Sequence, residues 1–226
     1  MIVMPSNNYG AVKLVQKYPG RIGWLFGPEG WKTPKDFPYT IDNGRYSVWS
    51  KGHAWDEGLF LRLCDKAMAA GIENDRWPSW VAVPDVVADA DATFEEWSKW
   101  SPMLANSGFT LALVVQDGMT PSAVRRRCLS MPSVIFIGGT RQWKFRTLWQ
   151  WCQEFPRIHV GRINTERDLW RCDDAGAESV DGTGWFMGGI KRLRPMLNYL
   201  HRSTQRIGPA QRQLFISETY TNGNPT

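Results

Sequence analysis

FTLALVVQDG, residues 109–118, is a short apolar run closed by an amide, an acid and a glycine. Its neighbours decide how it is read. Before it, ADATFEEWSKWSPMLANSG (90–108) sets Phe94, Trp97, Trp100 and Leu104 at spacings of three and four, the period of a helix with one buried face, and Gly108 supplies a stop. After it, TPSAVRRRCLSM (120–131) opens with Thr120 as an N-cap and Pro121 at the first helical position, where the missing N–H costs little. A run of strand length held between two helices predicts a βα unit and a parallel sheet.

The alternation extends in both directions. RIGWLF (21–26), PYTID (38–42), SWVAVPD (79–85), SVIFIGG (133–139), RIHVGR (157–162) and AESVDGTG (177–184) are further short runs, separated by segments of helix length. TRQWKFRTLWQWCQEF (140–155) and NTERDLWRCDDAG (164–176) each begin with a capping residue, Thr140 and Asn164. The last helix is read over MGGIKRLRPMLNYLHRS (187–203), with a kink at Pro195. Seven or eight strands, all joined by helices, fit an open doubly wound sheet or a closed barrel. No GxGxxG follows the first strand, and acids recur at several strand ends. A barrel draws its site from the ends of many strands, so the expectation is an α/β fold, a single (β/α)8 TIM-type barrel over residues 1–208, reduced or irregular forms included, with a polar tail over 209–226.

Composition narrows the class. A chain of 226 residues buries one substantial core. Its 13 Trp are a heavy aromatic load, expected mostly in that core. Four cysteines without a CxxC pair signal neither a zinc knuckle nor a disulfide framework and are read as reduced core thiols. His53, His159 and His201 share no metal-ligand spacing, although His159 is placed to line a barrel mouth. MIVMPSNNYG is short and polar for a signal peptide and no apolar stretch reaches membrane-spanning length, so a cytoplasmic protein without a membrane partner is expected. The formal net charge of +5 favours an anionic partner. Arg125, Arg126 and Arg127, and Lys191, Arg192 and Arg194, are either solvated helix faces or a polyanion-binding edge.

The strand ends carry the chemistry. Asp42, Asp85, Gln116, Asp117, Gly138, Gly139, Gly161 and Asp181 all follow apolar runs, and in one barrel they converge on one mouth. Three of these carboxylates, the amide and open glycine backbone there can hold a heterocycle edge during acid/base or nucleophilic work. Asp181 stands in SVDGTGWF (179–186), where glycines admit close approach of a ligand; a strand-ending Asx turn is the plainer reading.

The order DNGRYSVW (42–49), VPD (83–85), QDG (116–118), IGG (137–139), VGR (160–162) and VDGT (180–183) resembles the tRNA-guanine transglycosylase family, whose motifs run DSGGFQ, an aspartate after a buried strand, QGG, IGG, GVG and a nucleophilic aspartate in FDCV. The likeness spans roughly residues 39–185. It is sharper to the small phage and bacterial relatives that insert 7-deazaguanines into DNA, in VPDVV, QDG, FIGGT-x-x-WK and VDGTGW. DSGG is DNGR here, QGG is QDG, and the PTR after the family's nucleophile is absent.

The resemblance implies that Asp181 is the nucleophile attacking C1′ and that Asp42 is the general acid/base. It implies that Asp85 and Gln116 read the guanine edge, with Gly138, Gly139 and Gly161 lining the base site. Lys144, after Trp143, meets a phosphate or is simply an exposed helix start; Trp49 and Trp185 stack on a base or pack in the core. The tRNA enzymes carry a CxCxxC zinc insertion that this chain lacks, so the resemblance implies a DNA-guanine transglycosylase without metal or cofactor. Its partners would be DNA and a free 7-deazaguanine such as 7-cyano-7-deazaguanine (preQ0). A tRNA enzyme, a barrel glycoside hydrolase and a non-catalytic basic nucleic-acid-binding protein are the competing readings.

Overall fold

A computed structural model of the chain describes residues 1–206 apart from positions 6 and 8. Its order is β1 (Ile2–Met4), α1 (Tyr9–Lys17), β2 (Trp24–Phe26), β3 (Tyr39–Ile41), α2 (Arg45–Trp49), α3 (Glu57–Asn74), β4 (Val81–Ala82), α4 (Ala90–Asn106), β5 (Leu111–Val115), α5 (Pro121–Arg127), β6 (Val134–Ile137), α6 (Arg141–Glu154), β7 (Ile158–Val160), α7 (Glu166–Ala175), β8 (Ser179–Asp181), a 3-10 turn (Thr183–Phe186) and α8 (Gly189–Arg206). All eight strands are parallel, in the spatial order β1-β8-β7-β6-β5-β4-β3-β2. The two ends of that order meet at a parallel bridge between Val3 and Ile22, where Val3 N–H donates to Arg21 O at 2.8 Å and Gly23 N–H to Val3 O at 3.0 Å. The result is a nearly closed (β/α)8 barrel of TIM type, as expected. The expected tail, 209–226, lies outside the described residues, and no described helix is long and apolar enough to cross a membrane.

Three local readings are corrected. The first strand, Ile2–Met4, was not anticipated: three residues give too little pattern to register, yet Met4 pairs with Asp181 and supports the site. The β2–β3 connection, residues 27–38, contains no helix. Pro28, Pro34 and Pro38 withhold backbone donors and Gly27 and Gly30 disfavour helix, so the segment folds as a loop whose Trp31 packs on Phe26. The cap of α7 is Thr165, whose side chain accepts from Asp168 N–H, and Asn164 turns to accept from Gly184 N–H at 2.9 Å. Thr120 and Thr140 cap α5 and α6 as expected.

Strand alternation sorts the core into two layers. Val81, Leu111, Leu113, Val115, Ile135, Ile137, Ile158, Val160 and Val180 belong to the large cluster shared with the helices, while Trp80, Ala82, Ala112, Val114, Val134 and Phe136 form a separate plug inside the barrel. Trp80 fits there because Ala82 and Ala112 leave it room, and its ring stands edge-on to Phe136 and His159. One further pleat beyond Val114, Phe136, His159 and Ser179 reaches Gln116, Gly138, Gly161 and Asp181. The barrel's inward face thus becomes the floor of its mouth. Cys64, Cys128 and Cys172 are buried and Cys152 partly so, and all four are unpaired by disulfide.

Candidate active site

The mouth is a cavity of about 600 Å³ lined by Asp42, Asp85, Gln116, Gly138, Gly139, Gly161 and Asp181, together with Leu25, Val114 and Phe136 at its apolar base. Every residue expected to perform chemistry or read a base therefore faces one space. Asn43, Tyr46, Trp49, Asp117 and Arg162 line it too.

Asp181 ends β8 and is almost fully buried. Its Oδ1 accepts from Arg162 N–H at 3.1 Å, and its Oδ2 lies 3.1 Å from His159 Nε2. The glycines beside it answer to space. A Cβ on Gly182 would stand 2.0 Å from Ile163 O, and one on Gly161 would stand 2.5 Å from the Phe136 ring and 3.2 Å from Asp181 Oδ2. Gly182 has φ −178°, extended backbone open to any residue, so close approach and not a left-handed turn demands glycine there.

Asp42 follows β3 in the same mouth. Enclosure away from bulk water, compounded by the charges of Asp181 and Asp85, pushes its carboxyl up to about 7, although the Gly44 and Asn43 amides oppose the rise. Some of its surface remains accessible because it faces the cavity.

Asp85 is buried between two amides: Asn43 Nδ2 donates to Oδ1 at 2.9 Å and Gln116 Nε2 donates to Oδ2 at 2.5 Å. Burial raises this carboxyl to about 6, against the lowering effect of Asn43, Arg45 and Gln116. Gln116 Oε1 accepts from Ala88 N–H at 3.3 Å, which fixes the amide's orientation and leaves its second Nε2–H for a ligand. Ala88 holds φ 64°, a left-handed conformation strained for alanine, at this contact.

The glycines divide. Gly138 N–H donates to Val115 O and Gly161 N–H to Ile137 O, so both are consumed in the sheet and contribute shape. Gly139, with its amide bonded to no described acceptor, is the one available to donate. Asp117 accepts from both Thr140 N–H and Thr140 Oγ1 at 2.6 Å, tying QDG to the start of α6.

The basic residues fare differently. Lys144 is buried, not an exposed helix start; its Nζ donates to Gly161 O beneath the floor, and burial, with the Arg162 charge, lowers its pKa to about 8. It is therefore withdrawn from any surface phosphate. Arg125 and Arg127 occupy the last turn of α5, where they pair with Glu154 and Asp91 while Arg126 reaches Ser122. Lys191, Arg192 and Arg194 are exposed in the first turns of α8, which leaves the mouth side of β8. Trp185 is core, whereas Trp49 is 55 % exposed at the rim.

Three residues escaped the sequence reading. Asn43 organises Asp85, and Arg162, at φ 60°, spans the rim, donating its guanidinium to Gly139 O while standing 4.0 Å over the Tyr46 ring. Tyr46 lines the cavity. His159, expected to line the mouth, is instead fully buried beneath Asp181. Strand alternation puts His159, two residues before Gly161, on the inward face one pleat below the mouth; the three others follow from loop geometry that a sequence does not display. Among the described residues no group of three or more His, Cys, Asp or Glu is arranged to hold a metal.

No protein-family model matches this chain. A search of curated proteins likewise finds no match.

Proposed function

We propose that this chain is a base-exchanging glycosyltransferase that removes guanine from a DNA nucleotide and installs a 7-deazaguanine, such as 7-cyano-7-deazaguanine, through a covalent intermediate on Asp181. One observation carries the reading: two carboxylates in one cavity hold different environments, Asp181 taking donors on both oxygens and Asp42 raised to about 7. The first suits a nucleophile and the second a group that gives and takes a proton near neutral pH. The ordered motifs that resemble the guanine transglycosylases support the same assignment.

The exchange balances without redox chemistry. An Asp181 oxygen bonds to C1′ as the C1′–N9 bond breaks, and the departing electron pair on N9 takes the proton of neutral Asp42. In the second half the incoming base surrenders its N9 proton to the Asp42 carboxylate, N9 bonds to C1′, and the ester electron pair returns to Asp181. Developing positive charge on the sugar is stabilised by the adjacent anion, and the polymer's sugar stays tethered while bases exchange.

Asp85 can accept from N1–H and the exocyclic amine of guanine, and Gln116 and the Gly139 amide can donate to its acceptors. A 600 Å³ cavity accommodates a nucleoside, not a stacked base pair, so the target is flipped out or single-stranded. Lys191, Arg192 and Arg194 then stand where phosphates beside the mouth would run. The test offers equal DNA and tRNA with one labelled 7-deazaguanine and follows label into each. Preferential labelling of DNA, abolished in Asp181→Asn, supports the reading. Labelling of tRNA overturns the polymer, and labelling of neither overturns the activity.

A further inference from the structure

His159 is buried completely inside the barrel, an ionisable ring at the centre of an otherwise apolar plug. Trp80 and Phe136 pack against it with ring centroids at 4.7 and 4.5 Å. Both ring nitrogens are engaged, Nδ1 with Ser179 Oγ at 2.8 Å and Nε2 with Asp181 Oδ2 at 3.1 Å. Nothing in packing requires a histidine at such a position, since Leu or Phe would fill it without burying two polar nitrogens. The polar run Ser179, His159, Asp181 leads from the core to the cavity floor.

The chemistry of the partners sets the proton. A carboxylate can only accept, so Nε2 carries the hydrogen toward Oδ2; in the neutral ring Nδ1 then accepts from the Ser179 hydroxyl. The other groups facing Asp181 are the Arg162 amide on Oδ1, the Lys144 ammonium below the floor, and the Asp42 carboxylate across the cavity. Among the described residues only His159 contacts Oδ2 through a side-chain donor.

We propose that His159 is a positioning residue that governs how readily Asp181 releases the sugar, its Nε2–H holding Oδ2 so that the aspartate is a fixed nucleophile and a competent leaving group. This rests on the base-exchange reading. When the Asp181–C1′ ester forms, charge leaves the carboxyl group; when it breaks, charge returns, and a donor already on Oδ2 stabilises that return without reorganisation. Removing the donor makes the carboxylate more basic, which favours the ester and slows its cleavage.

The experiment compares wild type, His159→Phe and His159→Gln, with folding checked by circular dichroism. Each is incubated with a guanine-containing oligonucleotide and labelled 7-deazaguanine. Denaturing gels read the covalent protein–DNA adduct, and nucleoside analysis reads exchange. Loss of a charge-assisted hydrogen bond predicts exchange turnover roughly 10–100-fold lower in His159→Phe, with a larger adduct fraction. His159→Gln, which restores an N–H near Oδ2, recovers most of the rate. A Phe variant exchanging at the wild-type rate overturns the proposal. So does a parallel fall of adduct and exchange that Gln does not repair, which marks a purely structural histidine.

A second reading needs no turnover. The chain has 3 His, so the ¹⁵N imidazole signals are assignable by substitution. His159 should show the Nε2–H tautomer and shift in Asp181→Asn; the other tautomer, or no shift, overturns the proposal. A wild-type chain with no exchange but a His159 signal coupled to Asp181 would refute the base-exchange reading and leave the hydrogen bond standing.

Discussion

Replacing Asp42 by Asn should make the protein more stable, and increasingly so as pH rises. In the unfolded chain this carboxyl ionises near 4; in the folded chain it does so at about 7, because enclosure and the facing Asp181 and Asp85 charges penalise the anion. A carboxyl raised in this way costs stability only where the unfolded form is ionised and the folded form resists. Nothing is lost below about pH 4, the loss grows as pH climbs through 4 to 7, and it is complete above that. The full difference corresponds to about 4 kcal/mol as an upper limit, and about 2–3 kcal/mol of it develops between pH 5 and pH 8. Asn keeps an oxygen for the Gly44 and Asn43 amides but never takes the charge. Urea denaturation of both proteins at pH 5 and pH 8 is the assay. The Asn variant should gain on wild type by about 2–3 kcal/mol across that interval while losing exchange activity. Asp85, raised to about 6, adds a parallel loss that both proteins share. An unchanged gap between the two pH values would refute the electrostatic account of Asp42.

The remaining predictions concern recognition and architecture. Asp85→Ala strands the donors of Asn43 and Gln116, so it should lower stability by about 1–3 kcal/mol per unsatisfied group and raise the KM for the incoming base; unaltered denaturation and base affinity would exclude that pairing. Gly161→Ala places a methyl against Phe136 and Asp181, and should depress exchange more than it depresses Tm, read by turnover beside a thermal melt. Trp80→Ala empties the barrel plug and should cost about 3–5 kcal/mol, checked by denaturant titration. Neutralising Lys191, Arg192 and Arg194 together should weaken DNA binding across sequences and flatten its salt dependence, while the equivalent change at Arg125, Arg126 and Arg127, two of them already ion-paired, should do much less.

The barrel was legible because its middle strands are plain. From 109 to 161 each apolar run ends in a polar or glycine residue and is followed by a capped helix, so strand ends and mouth residues coincide in sequence. Ile2–Met4 and residues 27–38 were not legible, since a three-residue strand carries no period and a proline-rich crossover looks like any loop. Asp42, Asp85, Gln116 and Asp181 could be gathered because parallel strands put their C-terminal ends together. The environments could not be read: Lys144 is buried because a helix packs its stem beneath Gly161, and Arg162 crosses the rim because its backbone takes a positive φ. Both depend on tertiary packing that no local pattern reports.

Stoichiometry tests the central claim most directly. A DNA oligonucleotide containing one guanine is incubated with the protein and isotopically labelled 7-cyano-7-deazaguanine, then free guanine and intact strand mass are measured together. Base exchange on Asp181 predicts one guanine released per label incorporated, an uncut strand without abasic sites, and neither product in Asp181→Asn. Guanine release that leaves abasic DNA, or label incorporated by the Asn variant at the wild-type rate, would contradict it.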